Sequence, residues 1–118
     1  MLNFSHQTRV FLCSSPVDMR KSFRGLCMLA ESHLKQDPAS GHWFVFINRR
    51  KDRLKLLSWD GQGFCIWYKR LEKGTFESPT SDDPQQPQLE IDVTQLAMII
   101  TGIELRSAKR RPRYRQAS

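Results

Sequence analysis

Asp60-Gly61 lies between two runs of strand-forming residues, Arg53–Trp59 and Phe64–Arg70, and no other feature constrains the fold as tightly. Asp-Gly flanked in this way is the strongest short-range signal for an antiparallel hairpin, because both turn positions accept the backbone twist that joins such strands. A two-residue turn pairs Trp59 with Gln62 and so fixes every later pair. Leu54 then faces Trp67 and Leu56 faces Cys65 on one side, with Asp52 opposite Lys69 at the margin as an ion pair. The other side pairs Leu57 with Phe64, Lys55 with Ile66, Arg53 with Tyr68 and Lys51 with Arg70. That side is basic and aromatic together, whereas the Leu54 side is expected to meet a helix.

The neighbouring segments extend the hairpin into an antiparallel meander, with strands expected at His42–Asn48 and Thr75–Glu77. Thr8–Ser14 carries the apolar run Val10, Phe11, Leu12 and Cys13 and reads as a further buried strand. A helix is expected next, capped by Asp18 and running to about Lys35. Phe23, Leu26, Cys27, Ala30 and Leu34 form its apolar stripe, Leu29 widens it, and Asp37-Pro38 stops it. Ala30 is small enough for close packing. Gly25 costs about 1 kcal/mol relative to alanine inside a helix, which predicts that a strand or another backbone approaches there.

Ser78–Gln88 holds three prolines and no large apolar residue, so it reads as an exposed linker. Asp92 and Gln95 then suit a capping box for a second helix, with Val93, Leu96, Ala97, Ile100 and Ile103 as its face and Gly102 at its end. Met98 and Ile99 widen that face, which implies either deep burial or an apolar surface for a protein partner or a second copy. The resulting class is α+β: an antiparallel β-meander sheet packed against an N-terminal helix, a second helix near the C-terminus, and a basic flexible tail. One domain is expected over residues 1–105, with the tail over 106–118.

Charge is divided unevenly along the chain. The formal charge of +7 over 118 residues resolves into +7 for Met1–Phe76, −6 for Glu77–Leu105 and +6 for Arg106–Ser118. A tail such as Arg106–Arg115 is too polar and self-repelling to bury, and it seeks a polyanion, most commonly nucleic acid. Arg20, Lys21 and Arg24 crowd the first turns of the first helix, where the helix dipole favours negative groups. An anion bound there would resolve the conflict.

Catalytic patterns fail throughout. His6, His33 and His42 have no metal-ligand spacing with one another or with Cys13, Cys27 and Cys65, and no phosphate-binding or nucleophile motif occurs. Asp18, Asp52 and Asp60 already have roles as helix cap, cross-strand partner and turn residue. Neither an enzyme nor a bound metal or cofactor is expected. The three cysteines lack C-x-x-C spacing and read as buried thiols, and the chain shows neither a membrane span nor a signal-peptide pattern, so a cytoplasmic location is expected.

Three stretches carry a family resemblance: Val17-Asp-Met-Arg-Lys-Ser-Phe-Arg-Gly-Leu26, Asp37-Pro-Ala-Ser-Gly-His-Trp-Phe-Val-Phe-Ile-Asn-Arg-Arg50 and Asp52–Gly74 with its Trp-Asp-Gly and Tyr-Lys-Arg-Leu-Glu segments. With Gln95-Leu96 and Gly102-Ile103-Glu104, they resemble the TnpB-type accessory protein, the second open reading frame, of the insertion-sequence sixty-six family of bacterial transposons. Ser22 stands where that family usually has glycine, and Arg24 where an acidic residue is common. The resemblance implies a small protein encoded beside a larger DDE-type transposase and needed for efficient movement of the element.

Charge and resemblance together lead to the expectation of a non-catalytic DNA-binding accessory factor for transposon ends or target DNA. Its expected contacts are Arg20, Lys21, Arg49, Arg50, Lys51, Arg53, Lys55, Tyr68 and Arg70, with Lys109, Arg110, Arg111 and Arg113 of the tail adding affinity. The alternative is a protein adaptor that bridges the transposase through Met98 and Ile99.

Overall fold

The computed structural model describes residues 7–80 and 83–102. Its elements run β1 (Val10–Cys13), α1 (Phe23–Ser32), β2 (Trp43–Ile47), β3 (Arg53–Trp59), β4 (Phe64–Arg70), β5 (Gln88–Ile91) and α2 (Val93–Thr101). The strands form one five-stranded sheet in the order β4-β3-β2-β1-β5. The chain is α+β, but the sheet is mixed where a purely antiparallel one was expected. β1 and β2 run parallel, with Val10 opposite Trp43 and Leu12 opposite Val45, because α1 carries the chain back between them.

Continuous apolar sequence explains the centre of the sheet. Every residue of β1 and β2 is buried, as befits strands covered on both faces. One face packs Val10, Leu12, Val45, Leu54 and Leu56 against Leu96 and Ile99 of α2. The other packs Phe11, Phe44, Phe46 and Leu57 against Leu26 and Ala30 of α1, so the small Ala30 does sit at a close contact. Truncating a filled position such as Leu56 or Phe44 to alanine is worth about 2–5 kcal/mol.

The hairpin keeps the expected faces but not the expected pairs. Trp59 pairs with Phe64, Leu56 with Trp67, Lys55 with Tyr68 and Arg53 with Arg70. The connection is the four-residue loop Asp60–Gly63, in which the Asp60 carboxylate accepts the backbone N–H groups of Gln62 and Gly63, both at 2.9 Å. A shift of two residues leaves each side chain on its own face, whereas a shift of one would exchange them. Lys69 consequently lies opposite Leu54 and donates to the Ile100 carbonyl at 3.0 Å, and Asp52 pairs with Asn48 instead.

The helices differ from expectation in position and side. α1 covers the Arg53/Lys55 face, not the Leu54 face, which belongs to α2. It begins at Phe23, after Ser22. Asp18 is not its cap, because the Asp18 carboxylate turns back onto the Arg20 backbone and side chain. The element that approaches Gly25 is the stem of Lys21, whose Cβ and Cγ would lie 3.1 and 3.2 Å from an added methyl, rather than a strand.

α2 forms the capping box, with Gln95 N–H donating to Asp92 at 2.7 Å and Asp92 N–H to Gln95 at 3.0 Å. Gly102 closes it in the left-handed region at φ 84°. Its buried side is Leu96 and Ile99, with Val93 and Ala97 exposed. Between the expected linker and α2 lies a strand that was not expected: β5 takes in Gln88, the last residue assigned to the linker, and pairs antiparallel with β1. Thr75–Glu77 is not a strand, yet Phe76 is fully buried and its N–H donates to the Lys51 carbonyl at 2.6 Å. Ile103 and the tail lie outside the described residues.

Candidate nucleic-acid interface

Because β1 and β2 are parallel neighbours, the segments that follow them emerge at the same end of the sheet. The crevice outside the carboxyl ends of such strands is where α/β sheets tend to receive ligands. Here Val17 N–H donates to the Ile47 carbonyl at 2.9 Å and ties the two segments together. Between them lies an open groove of about 630 Å³, lined by Pro16–Arg20 on one side and Asn48–Arg50, Asp52 and Arg53 on the other.

The β2–β3 turn forms the more basic wall, and its backbone is held from several directions. Asn48 Oδ1 accepts from the N–H groups of Asp52 and Arg53, both at 3.0 Å, while its Nδ2 donates to the Asp52 carboxylate at 2.7 Å. That amide contact holds the Asp52 carboxyl below its ordinary pKa, with the charges of Arg50 and Arg53 adding to the effect. Lys51 sits in the left-handed region at φ 61°, a conformation that costs a non-glycine residue about 1–2 kcal/mol. The buried anchor of Phe76 on the Lys51 carbonyl helps to offset that cost. The outcome is a fixed turn whose exposed tip is Arg49, Arg50 and Lys51. Among the described residues, no carboxylate forms an ion pair with any of these three.

Arg20 stands on the opposite wall, donating to both oxygens of Asp18, with its shortest contact at 2.7 Å. The Arg20 guanidinium draws the Asp18 carboxyl down to about 2. Lys21 and Arg24 are exposed beside it. Farther along β3 and β4, Arg53 and Arg70 lie directly opposite each other. Arg53 donates to the Tyr68 hydroxyl at 3.1 Å, and Arg70 pairs with Glu72 at 2.9 Å.

Lys55 departs from the expected surface. It is buried, its Nζ donates to the Met19 and Lys21 carbonyls at 2.8 and 2.7 Å, and it lies 4.8 Å from the centre of the Tyr68 ring. Its work is therefore internal: it ties β3 to the segment that carries Arg20. Ile99 likewise belongs to the core at 1% exposure, and Met98 is half-buried. Lys109, Arg110, Arg111 and Arg113 lie outside the described residues.

Asn48 was missed by sequence reasoning although it organises the turn. Its signal was an Asn and an Asp bracketing three cations, a spacing that lets one carboxamide span the loop. Burial raises the pKa of Cys13, and burial together with Glu31 raises that of Cys27. Among the described residues, no group of three or more His, Cys, Asp or Glu side chains is placed to hold a metal ion.

Fold and site together define a small protein with one mixed sheet between two helices and a basic crevice at the carboxyl ends of its parallel strands. The chain belongs to the IS66 Orf2-like family, whose model, described as IS66 Orf2 like protein, matches residues 8–110. It is also similar to two uncharacterized proteins of Sinorhizobium fredii (strain NBRC 101917 / NGR234). The first, y4jC, is 34% identical over 112 residues, covering 95% of this chain and 93% of its own. The second, y4hO, is 34% identical over 106 residues and 90% of each chain. No solved structure matches the chain. The family suggests an accessory role in transposition and is not a known catalytic family. Among the described residues, no helix is long and apolar enough to cross a membrane.

Proposed function

We propose that the protein serves transposition as a non-catalytic factor that grips DNA phosphates, at transposon ends or in target DNA, through the basic crevice. The observation that carries this reading is the pinned β2–β3 turn, which displays Arg49, Arg50 and Lys51 without ion-pair partners among the described residues. A turn held in place before binding loses little conformational freedom when phosphates arrive. Arg20, Lys21, Arg53 and Arg70 extend the positive field along the same end of the protein, Tyr68 stands among them, and Lys109, Arg110, Arg111 and Arg113 supply further phosphate contacts. The protein works in this reading where the element's DNA lies, in the cytoplasm.

The test is fluorescence anisotropy with a transposon-end duplex and a scrambled duplex at two salt concentrations. Affinity should fall by about 0.9 log unit per phosphate contact for each tenfold rise in salt. Salt-independent binding would overturn the proposal. End-selective binding would assign base readout to it, because phosphate contacts alone position a protein without reading sequence.

A second reading, an adaptor for the element's DDE-type transposase, is favoured by the outer side of α2, where Val93 is 42% exposed and Met98 half-buried. It predicts nuclease-resistant co-purification with the transposase that is lost in a folded Met98→Asp variant. Ile99 is unsuitable for this test because it holds the core.

A further inference from the structure

Two features of the β3–β4 surface go beyond simple phosphate attraction. Arg53 and Arg70 are a directly opposed cross-strand pair of like charge, an arrangement that destabilises a sheet unless an anion lies between or beside them. Glu72 neutralises Arg70 from outside the strand, while the Arg53 guanidinium donates to the uncharged hydroxyl of Tyr68 and feels the Asp52 carboxylate only through space, that group being hydrogen-bonded by Asn48. The second feature is the ring of Tyr68. It is 45% exposed on a sheet face, yet held twice: its hydroxyl accepts from Arg53, and Lys55 Nζ lies over one face of the ring, 4.8 Å from its centroid, which leaves the other face for a base. Lys55 cannot move away, since the same ammonium is bound to the Met19 and Lys21 carbonyls. Phe23, two residues beyond that second carbonyl, is a further exposed ring at 47%.

We infer that this surface binds single-stranded DNA, an unpaired base stacking on Tyr68 while Arg53 and Arg70 take the flanking phosphates. The inference rests on the DNA-binding reading above and sharpens its substrate class. A tyrosine ring offers its face only to a base that has left the duplex stack, and exposed aromatics interleaved with cations are how single strands are held without sequence preference. A duplex presents phosphates to the arginines but no base face to the ring. The fixed ring also supplies stacking area with little loss of side-chain freedom, an advantage over a mobile aromatic.

The test uses the full chain and three probes at matched salt: labelled oligothymidylate of about fifteen nucleotides, a duplex of the same length, and an oligomer of equal charge in which abasic sites replace the bases. Oligothymidylate should bind more tightly than both others. Tyr68→Ala should weaken it roughly 5- to 150-fold, the range measured for loss of one base–aromatic stack, and should weaken duplex binding far less, the duplex losing only the Tyr68 hydroxyl's hold on Arg53. Tyr68→Trp should restore single-strand binding. The abasic comparison needs no variant, so it decides the matter even if Tyr68→Ala fails to fold. Equal affinity for oligothymidylate and the abasic oligomer would overturn the inference while leaving DNA binding intact. Failure to bind any probe would overturn both.

Discussion

The two turns at opposite ends of β3 are built alike and equipped differently. In each, one side-chain oxygen accepts two backbone N–H groups: Asn48 from Asp52 and Arg53, and Asp60 from Gln62 and Gly63. Each also contains a left-handed residue, Lys51 at φ 61° and Gly61 at φ 97°. The β3–β4 turn uses glycine for that position and carries no cation. The β2–β3 turn places a lysine there, with two arginines before it, and so accepts both backbone strain and like-charge repulsion. A local rule broken twice within three residues, in a turn otherwise held firmly, is the pattern expected of a binding element rather than of a simple connection.

The largest expected effect separates the two turns by charge. Reversing Arg49 and Arg50 together to glutamate should lower duplex affinity on the order of a hundredfold or more while the protein stays folded, with only a small drop in thermal midpoint from the lost attraction between Arg50 and Asp52. Gln62→Glu in the other turn should change affinity by less than about twofold, since it lies away from the crevice. Equal losses in anisotropy titrations would show that net charge, not the turn, is what DNA reads. Next comes Asn48→Ala, which removes three hydrogen bonds and should cost about 2–3 kcal/mol in urea denaturation, with weaker DNA binding as a consequence. Asp60→Ala should destabilise the protein less and leave binding unchanged. Smaller again is Lys51→Gly: relief of the left-handed strain, less the added freedom of the unfolded chain, should stabilise by about 0.5–1 kcal/mol. The same change should reduce the salt slope by about 0.9 if Lys51 contacts a phosphate. A gain in stability without that loss would separate strain from function and remove Lys51 from the interface.

Local sequence signals carried far, and their failures have specific causes. The Asp60-Gly61 signal located the hairpin and assigned its faces, but loop length was beyond it, because the Asp60 carboxylate closes a four-residue turn as readily as a dipeptide closes a two-residue one. Capping chemistry gave α2 its start and end. The same reasoning misled at Asp18, which lies five residues before the helix begins and whose carboxylate binds Arg20 instead. The parallel β1–β2 pair was hidden because an apolar run does not reveal the direction of its neighbour. Lys55 was read as a surface cation since lysine is seldom buried, and only the Met19 and Lys21 carbonyls, supplied by a distant segment, make its burial tolerable. At the candidate site, the cations of the β2–β3 turn were legible from their clustering. Asn48 was not, because its importance lies in reaching across the turn.

The smallest effect concerns the group that closes each turn, because a carboxamide does not titrate and a carboxylate does. Asp60 is held below its ordinary value of 3.8, chiefly by the Gln62 N–H, then by that of Gly63. Its contribution to stability is therefore complete above the unfolded value and is lost as pH falls through the lower folded one. Proton NMR should show the Gln62 and Gly63 amide resonances moving together at a midpoint below 3.8. Asp60→Asn should abolish that movement while keeping an acceptor in place. The amides of Asp52 and Arg53, bound to the Asn48 carboxamide, should not share that midpoint; any change they show should follow the separate titration of Asp52, itself lowered first by the Asn48 contact. A midpoint for the Gln62 and Gly63 amides at or above 3.8 would mean that the Asp60 carboxylate does not close the turn in solution. The β2–β3 turn would then be the only one of the two fixed by its side chain, and the contrast between them would lie in rigidity as well as in charge.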